Sequence, residues 1–290
     1  MTDAVHARPR ARPKTGNGIP LAVALSATFL VAICLVALFG PALAPHDYEE
    51  TNLLYRLKPP FWSPLSVDGY LLGTDKLGRD LLSRLLLATQ VSIALAVLGT
   101  LIGAVLGTFL GVLAAHRGGI VDEVVMTMVD WQAAMPFLII ALAVLAFFGN
   151  NFYLFLALMG LYGWETYARL TRGLVLAARE QGYAVAVRAL GAKPSRLYLG
   201  HILPNVIGPL IVQLTLNFPQ TILLETSLSF LGLGIQPPLA SLGQMLGEGR
   251  DYLLNAWYLA VIPGAVIFLT TLSMCLVGDW IRSRLDPTQR

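Results

Sequence analysis

Tyr183-Ala-Val-Ala-Val-Arg-Ala-Leu-Gly-Ala-Lys-Pro-Ser195, closed by His201-Ile-Leu-Pro204, is a basic stretch set between two long apolar blocks. An ordinary connector between packed helices would be a few residues of Gly, Ser and Asn. Here the run from Ala184 to Leu190 is Ala-rich with one Arg, a strong helix former. Gly191 suits a left-handed cap at the end of that helix. Lys193-Pro194 then restarts a helix, with Pro194 placed where a missing N–H does no harm. The spacing predicts a structured helix–Gly–helix knob, and such a knob outside a membrane implies docking to a partner.

The flanking blocks set the class. The chain is 56% apolar with 13% charged residues, far from the profile of a soluble domain. Charge-free runs long enough to span a bilayer occur at Leu21–Phe39, Leu85–Ala115, Trp131–Trp164, Leu197–Leu224 (interrupted only by His201) and Tyr252–Gly278. The third is nearly two spans long, and Gly149-Asn150-Asn151 marks the turn within it. The reading is an all-α integral membrane protein with six spans, near 20–43, 88–115, 124–147, 151–171, 205–226 and 256–279. Cys34 and Cys275 both fall in spans and read as small apolar filler rather than a disulfide.

Residues 1–18 read as a basic tail carrying Arg8, Arg10, Arg12 and Lys14. The apolar region after them, ending in Ala42-Leu43-Ala44, is too long for a signal-peptide core, and Pro45 would sit just past the cut. It is read as a retained first helix, 19–44. An external loop, 45–87, follows, then a five-helix core over 88–279 containing the knob region, about 178–204, and a tail over 280–290. Lys and Arg set orientation. Arg169, Arg172, Arg179, Arg188, Lys193 and Arg196 gather around the knob, and Arg282, Arg284 and Arg290 near the C-terminus, whereas bases in 45–87 are balanced by acids. The knob and both termini are therefore expected on the cytoplasmic side of a multi-pass protein in a cytoplasmic membrane.

In 45–87, Thr74-Asp75 suits a turn or a helix cap, and from Arg79 onward Leu81, Leu82 and Leu85 alternate with Arg79, Asp80 and Arg84 as in an amphipathic helix. This reads as an interfacial helix with snorkelling Arg side chains, or as a rim that meets an external partner. In the second span Gly99, Gly103, Gly107 and Gly111 recur at every fourth residue, a row that lets another helix approach closely. Asp130 lies about 12 Å along a helix from Asp122. At or just inside the membrane boundary it serves transport or coupling, or pairs with an Arg. Pro136, Pro219 and Pro263 predict kinks. Glu225, about 28 Å up the helix from Val206, is placed near the external face, as a gate cap, a contact to a neighbouring subunit or a solvated carboxylate.

Several chemistries are missing from the sequence. No Lys follows a Gly, so there is no phosphate-binding Gly-x4-Gly-Lys-Ser/Thr loop. There is no His-Glu-x-x-His, no Gly-x-Ser-x-Gly and no Cys/His cluster with metal spacing. No catalytic residue, metal site or nucleic-acid surface is assigned. If ATP drives this chain, another subunit hydrolyses it.

Ala189-Leu190-Gly191-Ala192 with His201-Ile202-Leu203-Pro204-Asn205 resembles the EAA loop of ABC-importer permeases. Leu72–Arg84, Ser229–Gly234 with Pro237-Pro238, and Gly278-Asp279 with Leu285-Asp286-Pro287 resemble the dipeptide/oligopeptide/nickel branch, in its second permease subunit. The resemblance covers roughly 70–290. It implies a type I importer fold in which two homologous permeases form a heterodimeric pore, two ATPases using ATP and Mg drive it, and an extracytoplasmic solute-binding protein delivers the solute, all set in membrane lipid. This chain itself would bind no cofactor. By position, Tyr183, Ala186, Arg188, Ala189, Leu190, Gly191, Ala192 and Pro204 would form the ATPase-coupling loop. Gly73, Asp75, Gly78, Arg79, Asp80 and Arg84 form the external motif, and Asp130, Glu225 and Asp279 are candidates for gating or coupling.

Against the family pattern, Val185 stands where the loop's Glu would be, Gln90 and Thr127 where the branch shows Arg, Leu242 for Trp and Cys275 for Asn. Dipeptides, longer peptides, nickel chelates, glutathione-like compounds, sugars and opines all fit such an architecture. The competing class is an ion-coupled secondary transporter, which would need buried ion-coupling residues and often internal repeats.

Overall fold

The computed structural model describes residues 19–285, all helices and loops. The basic tail and the segment after Leu285 lie outside the described residues. The chain runs through α1 (Leu21–Leu43), α2 (Leu81–Arg117), α3 (Gly119–Ala134), α4 (Phe137–Phe148), α5 (Phe152–Gly160), α6 (Trp164–Arg179), α7 (Gly182–Ala189), α8 (Pro194–Leu197), a π-helical turn (Tyr198–Ile202), α9 (Leu203–Phe230), α10 (Leu242–Arg250) and α11 (Tyr258–Leu285).

Among the described residues, four continuous helical stretches are long and apolar enough to cross a bilayer: α1, α2, α8 through α9, and α11. Of the remaining two expected spans, one is a bent helix pair of spanning length, and the other is interrupted and carries Glu165, Arg169, Arg172 and Arg179, so four to five spans stand against the six expected. The third divides at Met135-Pro136 into α3 and α4, which are bent by 88°. Pro136 supplies no N–H, and steric conflict with its ring drives Met135 to an extended φ −105°, ψ 138°. A kink was expected there and a break is found. The fourth divides at Leu161–Gly163 into α5 and α6, with Gly163 at φ +82°. The turn expected between them and α4 is present: Gly149 closes α4 at φ +83°, and Asn151 caps α5 by accepting from the Tyr153 N–H at 2.8 Å. Pro219 and Pro263 lie inside the unbroken helices α9 and α11.

At 37 residues, α2 is about 55 Å long and forms the central strut. It starts at Leu81, inside the segment read as a loop, and no separate interfacial helix precedes it. Asp80 accepts from the Leu82 and Ser83 N–H groups, so the helix is capped there and nothing interrupts it before Arg117. Its glycine row seats α5 and α6. A Cβ on Gly107 would stand 2.2 Å from the Trp164 carbonyl oxygen, and one on Gly111 2.5 Å from that of Ala168. Gly99 and Gly103 meet Met159 and the Tyr162 carbonyl in the same way. α1 leans on α2 and α11, its Ile33 joining a core cluster with Ile93 and Ala96 of α2, Phe218 and Ile222 of α9, and Val266 and Met274 of α11. Cys34 and Cys275 are free and on exposed faces rather than filling the interior.

Candidate functional site

The knob hangs from the end of the molecule where α2 and α6 finish. Arg179 Nη1 donates to the Ala115 carbonyl at 2.5 Å, and His116 Nδ1 lies 3.1 Å from the Tyr198 hydroxyl. A compact apolar base of Ala115, Tyr167, Val175, Ala178, Ala184, Leu197, Tyr198 and Ile202 fixes α7 and α8 to the helices behind them. Tyr183 packs on that base, its hydroxyl enclosed without a partner among the described residues.

The reversal between α7 and α8 is built by hydrogen bonds. The Gly191 N–H donates to the Arg188 carbonyl at 3.0 Å and the Ala192 N–H to the Val187 carbonyl at 3.3 Å, the paired bonds of a Schellman cap. Gly191 sits at φ +75°, as the sequence predicts. Pro194 opens α8, also as expected. Ala186, Arg188, Ala189, Leu190, Gly191, Lys193 and Arg196 are exposed, and Ala192 is half-buried. Leu190 at the tip is 86% exposed, an apolar side chain ringed by cations. Behind the knob, exposed Pro204 removes an N–H and crowds the carbonyl four residues back. The chain there widens into a π turn, with the Leu203 N–H reaching the Tyr198 carbonyl.

At the opposite end of α2 the external motif folds around Asp75. Its carboxylate accepts from the Leu77 and Arg79 N–H groups, from Arg79 Nε at 2.7 Å and from Arg84 Nη1 at 2.6 Å. Burial pushes this carboxyl up, but the Arg84 charge, the Arg79 charge and the two backbone amides outweigh it and hold it below its ordinary value. Arg84 also donates to Glu248 on α10 at 3.2 Å. The expected snorkelling does not occur: the Arg84 side chain is 5% exposed because two carboxylates hold it inward. Gly73 and Gly78 take φ +80° and +75°, and a Cβ on either would collide with the backbone at Lys58 and Asn52. Asp80, besides capping α2, accepts from Ser83 Oγ at 2.6 Å and faces His46 Nδ1 at 3.4 Å.

Glu225 is fully buried, which corrects the solvated reading. Ser229 Oγ donates to it at 2.8 Å and Ser92 Oγ at 3.2 Å, and Ser92 Oγ accepts from the Leu242 N–H at 3.0 Å. The cluster ties α9 and α2 to the start of α10. Asp130 pairs with Arg169 at 2.7 Å, the pairing alternative of the sequence reading, but on an exposed face. Asp279 stands exposed on α11. Glu248 and Ser92 were missed in the sequence, and Ser229 was read only as part of the Ser229–Gly234 motif, not as a partner of Glu225. α10 is a short, Gly-rich helix after an irregular loop, and isolated serines in apolar helices carry no pattern.

The family model described as "binding-protein-dependent transport system inner membrane component" matches residues 107–290. The one described as "N-terminal TM domain of oligopeptide transport permease C" matches residues 20–60. The di/tripeptide transport system permease protein DppC of Pseudomonas aeruginosa is 38% identical over 259 residues, 89% of this chain and 86% of that protein. The oligopeptide transport system permease protein OppC of Bacillus subtilis is 36% identical over 261 residues, 90% of this chain and 84% of that protein. In fold, the chain is similar to a structure of the inward-facing MetNI methionine ABC transporter, with a TM-score of 0.54 at 18% identity over 67% of this chain and 93% of that one. The helical architecture is thus that of a type I importer permease, and the chain belongs to the binding-protein-dependent transport system inner membrane component family.

Proposed function

We propose that this chain is one of two homologous permeases in an ABC importer of peptides or related small solutes. The knob is its docking surface for an ATPase subunit. The carrying observation is the geometry of that knob, a Schellman-capped tip with exposed Leu190 held on a buried apolar base. The apolar tip fits a pocket, and the surrounding Arg188, Lys193 and Arg196 fit an acidic rim. Peptide as the solute class is supported by the names of the relatives above.

In this reading the pore is a heterodimer, two ATPases consume ATP and Mg, and an extracytoplasmic binding protein delivers the solute to the Asp75–Glu248 end. This chain binds no nucleotide. The basic knob lies in the cytoplasm with both termini, and the protein sits in a bacterial inner membrane. ATP-driven closure of the ATPases would draw the two knobs together, and the rigid base would pass that motion to α6 and α9. Only differential contact between the knob and the two ATPase states can bias the pore.

The test is mild-detergent co-purification of the tagged chain from membranes, wild type against Gly191→Asp. Recovery of a second permease and ATPases with wild type, and loss of the ATPases from a folded mutant, is the expected result. A wild-type chain that purifies alone and stable contradicts the proposal.

A further inference from the structure

Three polar rungs join α3 to α6. Arg172 Nε donates to Asp122 Oδ1 at 2.5 Å, Arg169 Nη2 to Asp130 Oδ1 at 2.7 Å, and Gln132 Nε2 to Glu165 Oε2 at 2.9 Å. The helices are antiparallel, so the rungs climb from the knob end toward the break at Gly163. Measured from Arg179, Arg172, Arg169 and Glu165 stand about 10, 15 and 21 Å along α6.

By the span bounds read from the sequence, 124–147 and 151–171, the first rung lies at the membrane boundary and the other two inside it, where exposed charge marks an aqueous path rather than lipid contact. The Asp130 and Arg169 side chains are nonetheless 72% and 56% exposed. The outer faces of α1 and α11 differ, presenting Leu35, Leu38, Phe268 and Leu272. The rungs also differ among themselves. Asp122 and Asp130 each have an Arg, whereas Glu165 makes no ion pair among the described residues and is held by the neutral Gln132. Gln132 is itself fixed, accepting from Trp164 Nε1 at 2.7 Å. Beside this rung lies an apolar recess of about 450 Å³ against Met128, Trp131 and Leu161.

Resting on the permease reading above, we propose that this α3–α6 face is the wall of the solute path in this chain. Glu165 receives the ammonium group of a zwitterionic solute, the recess takes its apolar side chain, and Arg169, one turn away, faces its carboxylate while shared with Asp130. The opposite charges of Glu165 and Arg169 match a molecule with a cation at one end and an anion at the other, so that each end meets a counter-charge.

The test uses the assembled importer in proteoliposomes, with Cys34→Ala and Cys275→Ala as background. Thr127→Cys and Thr166→Cys report on the face, and Phe268→Cys on lipid. A charged, membrane-impermeant methanethiosulfonate should modify both reporters at least about ten-fold faster than Phe268→Cys, and dialanine should slow it. In the same background, Glu165→Gln should shrink the preference for dialanine over its N-acetyl derivative about ten-fold, the scale of one charge-assisted hydrogen bond. Labelling no faster than at Phe268→Cys, with ATP-driven uptake intact, means that lipid or the second permease covers this face. That result overturns the wall and leaves the permease reading standing. An unchanged preference overturns the role of Glu165. Absence of ATP-driven uptake of every peptide probe by the cysteine-free background overturns the permease reading and this proposal with it.

Discussion

Gly191 and Gly107 are indispensable for opposite reasons. A Cβ on Gly191 meets nothing within 4 Å, so the constraint there is the backbone angle of +75° alone. A side chain in that region costs about 1–2 kcal/mol, too little to unfold the bundle but enough to undo the cap at the tip. Gly191→Ala is expected to leave the chain folded in detergent while weakening recovery of the ATPases, and size-exclusion with co-purification reads both. At Gly107 the backbone is ordinary helix and space is lacking, since Trp164 O, Tyr167 Cβ and Ala168 N all crowd the absent Cβ. Gly107→Ala must push α6 off α2. Its cost is expected at about 1–3 kcal/mol or above, seen as a lowered Tm in detergent. Gly103, whose nearest neighbour is 3.0 Å away, should tolerate Ala better but not Leu.

Among the elements, α10 shows how an unremarkable segment becomes structural. It is anchored at its start through Leu242 to the Ser92–Glu225 cluster and along its length through Glu248 to Arg84, Arg79 and Lys76. Arg84→Met removes the more deeply buried of the two cations that Asp75 and Glu248 share, leaving only Arg79 between them. About 3–5 kcal/mol is expected for opening such a buried pair, read as faster proteolysis between 45 and 87. The same cluster gives a pH dependence. Asp75 ionises more easily folded than unfolded, so its contribution is complete above the unfolded carboxylate value, about 3.9. It is lost as pH falls through the lower folded value. Acid titration of Tm should therefore show a drop that Asp75→Asn flattens, the mutant being less stable than wild type at neutral pH. Equal acid sensitivity in the two proteins would remove Asp75 from the account.

For the whole molecule, the two clusters lie at opposite ends of α2, separated by about 55 Å of helix. The strut is clamped at one end by Asp80 and the Asp75 network and at the other by the contacts of Ala115 and His116 with the knob base. In the proposed coupling, force applied at the knob would reach α6 and α9 through this packed base rather than through a loose loop. Gly191→Asp is expected to abolish uptake in membranes while insertion stays normal, measured as transport against membrane-fraction abundance. Normal uptake would show that the knob carries no coupling.

The sequence by itself determined the class, most of the spans and the knob, because these depend on local quantities. Apolar run length sets membrane partition, and Ala content, Gly191 and Pro194 set a helix, its stop and the next start within a dozen residues. The glycine row likewise announced a close approach, since small residues four apart share one helix face. What only the tertiary structure decided depends on partners distant in the chain. Arg84 is buried because Glu248 lies opposite it, Glu225 because Ser92 and Ser229 surround it, and Asp130 meets Arg169 because α3 and α6 run antiparallel. A single charge in a sequence has a hydration cost that can be written down at once. Whether that cost is offset by a counter-charge, by hydroxyl donors or by water is settled only when the helices that carry those groups are packed side by side.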